Sequence, residues 1–169
     1  MATVVQKPQY GTDVALASTN LESQASSATA GWHSVRVSNL STLATDYEIF
    51  VKLTTANTAP ANDKAMYVFV IPWYTDDGGT TWYPSSGGTA TLPTSADADY
   101  TSASPHNFRL LGVLNYTTQQ MVVQDTFLLS NCFGGTMPDG FSIYIINYSG
   151  AALSTGNIVS YTPINQTFI

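Results

Sequence analysis

The feature that most restricts this chain is a short, repeated alternation of apolar and polar residues. In "DYEIFVKLT", Tyr47, Ile49, Val51 and Leu53 fall on one face of an extended strand and Glu48 and Lys52 on the other. "AMYVFVIPWY", from Ala65 to Tyr74, has the same period, but both of its faces are apolar, as expected for a strand in the middle of a sandwich. Further strands are predicted at Val14–Thr19, His33–Asn39, Phe108–Asn115, Val122–Leu129, Phe141–Asn147 and Asn157–Thr162, with a closing one at Ile164–Phe168. Turn-forming clusters separate them, among them Asp76–Gly79, Ser85–Gly88 and Met137–Gly140. No helical pattern of ten residues or more occurs, and "TNLESQASSATAG" is predicted as loop or a single turn. Eight or nine strands of this kind predict an all-β, antiparallel, jelly-roll-like β-sandwich in a single domain. Two Ser/Thr/Gly-rich stretches, Ala25–Gly31 and Ser85–Ser104, are expected as long surface loops, the second long enough to suggest a function.

The 169 residues suffice for one domain with a sizeable core, and 44% of them are hydrophobic. Only 9% are charged, against about 25% in an average soluble protein, so Ser, Thr, Asn, Gln and Tyr must build the polar surface. Such a skin favours close packing of many copies. Lys7, Arg36, Lys52, Lys64 and Arg109 are scattered singly in a chain of formal charge −6, which argues against nucleic acid and against an anionic membrane. The single Cys132 permits no internal disulfide. The first residues lack a secretory pattern, and the longest apolar run is too short to span a bilayer, so synthesis in a host cytoplasm is expected.

Candidates for chemistry are few. His33 and His106 belong to no nucleophile, zinc or metalloprotease motif and are expected to be structural or solvent-facing. Cys132 is expected in the core. Asp76–Asp77 and the pair Asp97 and Asp99 do not match a twelve-residue calcium loop, and "TDDGG" makes a good hairpin turn by itself. No cofactor, no metal and no enzymatic activity are therefore expected. The stretch "VIPWYTDDGGTTWYPSS" places Trp73, Tyr74, Trp82 and Tyr83 around that turn. Two uses stay open: packing within or between subunits, or stacking against sugar rings. Trp73 falls in register with Tyr67, Phe69 and Ile71, so it is expected to point inward.

Three strings, "NDKAMYVFV" at Asn62–Val70, "NFRLLGVLN" at Asn107–Asn115 and "CFGGTMPDGFSIYIINYSGAAL" at Cys132–Leu153, resemble small virion structural proteins of tailed bacteriophages. The matching blocks cover about half of the chain, mainly residues 62–74 and 107–153. The hairpin after Val70 is more aromatic than in that family, so no role of Trp73 or Trp82 carries over. The resemblance brings no catalytic residues; it implies assembly. The expectation is a decoration (cement) protein on the outer surface of a phage head. It would bind the major capsid protein and itself, as a homotrimer, through an N-terminal extended arm (1–13) on a sandwich domain (14–169). The arm's Met1–Gly11 would lie on a neighbour. Interface candidates are Trp73, Tyr74, Trp82, Tyr83 and Tyr10. The alternatives are a carbohydrate-binding or host-adhesion module on the virion, or a tail or connector subunit.

Overall fold

A computed structural model of the chain describes residues 6–61, 64–85, 97–101 and 107–168. His106 lies outside these. The strands are β1 (Gln6–Tyr10), β2 (Val14–Ala15), β3 (Ala30–His33), β4 (Val37–Ser38), β5 (Asp46–Thr54) and β6 (Ala65–Tyr74). They continue with β7 (Tyr83–Pro84), β8 (Ala98–Thr101), β9 (Arg109–Asn115), β10 (Val122–Leu128), β11 (Gly140–Tyr148) and β12 (Ile158–Phe168). A 3₁₀ turn at Thr19–Leu21 and a one-turn helix, α1 (Ser130–Phe133), complete them.

The pairing is nested like the rungs of one long hairpin. Ala15 faces Ser160, His33 faces Tyr144, Val51 faces Asp125 and Val68 faces Gly112, all antiparallel. Rolled up, this hairpin places successive rungs alternately in two sheets, which is the topology of a jelly roll. One sheet runs β1–β12–β5–β10, with β2 also on β12. The other runs β7–β6–β11–β3–β8, with β9 on β6 and β4 on β11.

The alternation of β5 does what its pattern predicts. Tyr47, Ile49, Val51 and Leu53 are fully buried against Val68 and Val70 of β6, Ile143 and Ile145 of β11 and Val159 of β12. Each such side chain contributes about 1.5–3 kcal/mol by leaving water. The two apolar faces of β6 have a different cause from the expected mid-sandwich position. Its inner face packs on the first sheet, while its outer face carries a second core of Ile71, Trp73, Tyr144 and Ile146. Tyr100 of β8 and Phe108, both from the connection between β6 and β9, cover that outer core. Part of the expected loop Ser85–Ser104 is thus strand, and β3 begins within the expected loop Ala25–Gly31.

Other boundaries move for local reasons. The Val14–Thr19 strand is only two residues long, and His33–Asn39 breaks at residues 34–36. There the Ser34 hydroxyl accepts from Ile143 N at 2.9 Å while Ser34 N donates to Ile143 O at 2.8 Å. A side-chain oxygen thus replaces a rung of the ladder. The two expected C-terminal strands are one, because Pro163 falls in the gap between β2 and β1, where its missing N–H leaves no partner unpaired. Its carbonyl still accepts from Gly11 N at 2.8 Å.

Candidate interaction surface

The aromatic stretch is a short antiparallel pairing of β6 with β7, in which Trp73 faces Pro84 and Tyr74 faces Tyr83. Successive residues point to opposite faces, so the four rings divide two and two. Trp73 is 1% exposed, and its indole donates to Ser142 Oγ at 2.9 Å. Trp82 packs against the same outer core, across Gly140, where a Cβ would approach its ring to 2.9 Å. Its Nε1 donates to Gly79 O at 2.8 Å, and the Arg36 guanidinium carbon lies 4.0 Å above its ring. This cation–π contact occupies one face of the indole. Tyr74 and Tyr83 stand side by side on the other face, about half exposed.

The connecting residues 75–82 are ordered by one carboxylate. Asp77 accepts twice from Thr81 N, at 2.8 and 2.9 Å, and once from Thr75 Oγ1 at 2.9 Å. These bonds to the charged form, led by the Thr81 amide, lower its pKa to about 2. Thr75 N in turn donates to Asp139 Oδ2 at 3.0 Å. Asp77 is therefore committed to turn geometry. Asp97 is engaged likewise, accepting from Asn20 N and Trp32 Nε1 and tying the start of β8 to the 3₁₀ turn. Among the described residues, no three His, Cys, Asp or Glu side chains converge as metal ligands.

His33 is buried on β3 beside β8, its ring roughly perpendicular to that of Tyr100. Because a carbonyl can only accept, Nδ1 carries the proton and donates to Ser34 O at 2.9 Å; Nε2 is buried without a partner among the described residues. Burial lowers its pKa, with Ser34, Asp97 and Asp99 pulling the other way. Cys132, expected in the core, instead sits half-buried in α1, where burial raises its pKa. It marks the rim of the core rather than its interior.

Tyr10 belongs to the first sheet and is 57% exposed at the end of β1, all of whose residues are exposed. The structure therefore does not gather the five aromatic candidates into one patch. It also exposes apolar residues that sequence reasoning missed. Val113 on β9 and Val122 on β10 flank a groove where the two sheets' edge strands meet, and Leu110 is exposed further along β9. A bulge at Leu111 and the Phe127 ring resting on Gly112 close that edge. The apolar run "RLLGVL" was the available signal, but only the topology makes it an edge.

Leu43 is the other missed residue. It is 72% exposed with φ 48°, a left-handed conformation costing about 1–2 kcal/mol for a side chain with Cβ. Asn39 clamps the loop: its Oδ1 accepts from Ala44 N at 2.8 Å and from the Tyr47 hydroxyl at 2.7 Å. Burial pushes that hydroxyl's pKa up to about 12, keeping it a donor.

No helix among the described residues is long and apolar enough to cross a membrane. No family model, no curated protein and no solved structure matches the chain.

Proposed function

We propose that this chain is a virion structural subunit, a decoration protein that coats the head of a tailed bacteriophage by binding its major capsid protein. The observation that carries the reading is the placement of rigid or apolar side chains, Tyr10, Leu43, Tyr74, Tyr83 and Leu110, on the outside of a jelly roll with few charges. Aromatic residues with little charge around them are what a recurring protein contact uses. Jelly rolls serve in capsids, an argument by fold analogy that adds to the resemblance of residues 62–74 and 107–153. Individually modest contacts sum over a lattice. The subunit would be made in the host cytoplasm and reside on the particle surface.

The test is capture by particles. Purified chain mixed with heads lacking it should co-sediment and saturate at a fixed copy number per capsomer. Failure to bind heads, with binding to tails or connectors instead, would move the subunit to another station of the virion. Binding to none of them would end the reading.

A second reading, a glycan-binding module on the virion, rests on the Tyr74–Tyr83 pair, because Trp73 is buried and Arg36 covers Trp82. Saccharide hits on a glycan array that vanish in Tyr83→Ala would favour it.

A further inference from the structure

Four non-glycine residues among those described have left-handed backbone: Ser23, Leu43, Lys64 and Gln120. Three are polar or charged at the tip, as such positions ordinarily are. Leu43 is the exception, and it suffers twice, from backbone crowding and from an apolar side chain in water. The loop does not relax. Leu43 N donates to Asn39 O at 2.9 Å, Asn39 N donates to Asp139 O at 2.7 Å, and the Asn39 side chain holds Ala44 and Tyr47, both buried. A leucine is thus presented rigidly to solvent.

Leu43 borders one hollow, which shares Thr45 and Gly135 with a second. The smaller, about 320 Å³, is bounded by Leu43 itself and Met137. The larger, about 580 Å³, runs under the ribbon formed by β1 and the end of β12, with Pro8, Tyr10, Leu128 and Ile164 as its apolar lining. Its charged lining is one lysine, Lys7, and one carboxylate, Asp46, whose oxygens already accept from Ser130 N and Oγ. Two copies of an acidic chain can meet here without unpaired carboxylates facing each other.

We propose that this end of the sandwich is a self-association surface, with Leu43 of one copy seated in the hollow under β1 of a second copy. Knob and hollow are contiguous on one patch, so the contact is reciprocal and relates the two copies by a two-fold axis. This rests on the reading of the chain as an assembly subunit and deepens it: it replaces the expected homotrimer with a two-fold pair and names the residue that engages the second copy.

Sedimentation velocity on the full chain, from micromolar to near-millimolar concentration, tests it. The mass should approach twice 18.1 kDa and fall on dilution. Leu43→Asn should weaken association roughly thirty-fold, as loss of an interface hot spot does. It should also raise the melting temperature of the subunit, because Asn tolerates the left-handed backbone. Leu43→Met, which keeps apolar bulk, should still associate. A wild-type chain that stays monomeric, a three-fold mass, or undiminished association of Leu43→Asn would each overturn the proposal. Particle capture is scored separately: a monomeric wild-type chain that still coats heads would remove this contact and leave the decoration reading standing.

Discussion

Trp82 lies across Gly140 because the glycine has no Cβ to lift it. A methyl group there would stand 2.7 Å from Val37 O and 2.9 Å from Trp82 Cζ3. The carbonyl belongs to the sheet and cannot retreat. Gly140→Ala should therefore cost about 1–3 kcal/mol in a urea melt, as overpacking does, and shift tryptophan emission to the red as the indole leaves Arg36.

The Asp77 loop should depend on pH in a defined window. Its folded pKa, about 2, lies below the ordinary value of 3.8, so the stabilisation is complete above pH 4 and is lost as pH falls through 2. An NMR titration should place the Asp77 midpoint near 2. Exchange of the Thr81 amide should speed up over the same range, and Asp77→Asn should remove that dependence. A midpoint at the ordinary value would show that the Thr81 and Thr75 bonds do not hold in solution.

His33 acts at higher pH. Burial lowers its folded pKa below 6.5, so the unfolded chain takes up the proton first. Its contribution is present above about pH 6.5 and declines as pH falls, until the folded imidazole itself protonates. Chemical denaturation at pH 7 and pH 5 should show a larger loss for the wild type than for His33→Asn, which can still donate to Ser34 O but does not titrate. Equal losses would count against a neutral, buried imidazole.

Removing residues 1–10 should spare the fold. Every residue of β1 is exposed, and Pro8 sits on a strand that ends its sheet among the described residues. The melting temperature should drop by no more than about 4 °C, the equivalent of roughly 1 kcal/mol, with far-UV dichroism preserved. Capture by phage heads should weaken if the ribbon touches the particle; undiminished capture would exclude it from that contact.

Much of the architecture was legible because burial on one face writes a period of two into a strand. β5 follows from that alone, whereas β11 is buried on both faces and reads as a continuous apolar run. What stayed hidden depends on partners remote in the chain. β8, "ADYT", has one buried apolar side chain, Tyr100, and only its docking on β3 makes it a strand. The break at Ser34 is set by a hydroxyl standing in for a carbonyl, which no hydropathy pattern records. The aromatic stretch was visible as a cluster, yet the alternation that revealed it also puts Trp73 into the covered core on the outer face of β6 and leaves Tyr74, on the opposite face, half exposed. Leu43 falls between two predicted strands with no pattern to single it out; its conformation and exposure come from a clamp that only the folded chain assembles.

The nested rungs carry a kinetic consequence. Ala15 cannot find Ser160, nor His33 find Tyr144, until more than a hundred intervening residues have left the ribosome, so little of the sandwich can close while those residues are being made. Such non-local order makes for slow maturation, in milliseconds to seconds rather than microseconds. During that interval β9 and β10, with their apolar margins bare, are where newly made chains would clump, and a chaperone that delays collapse should raise the yield of usable subunits.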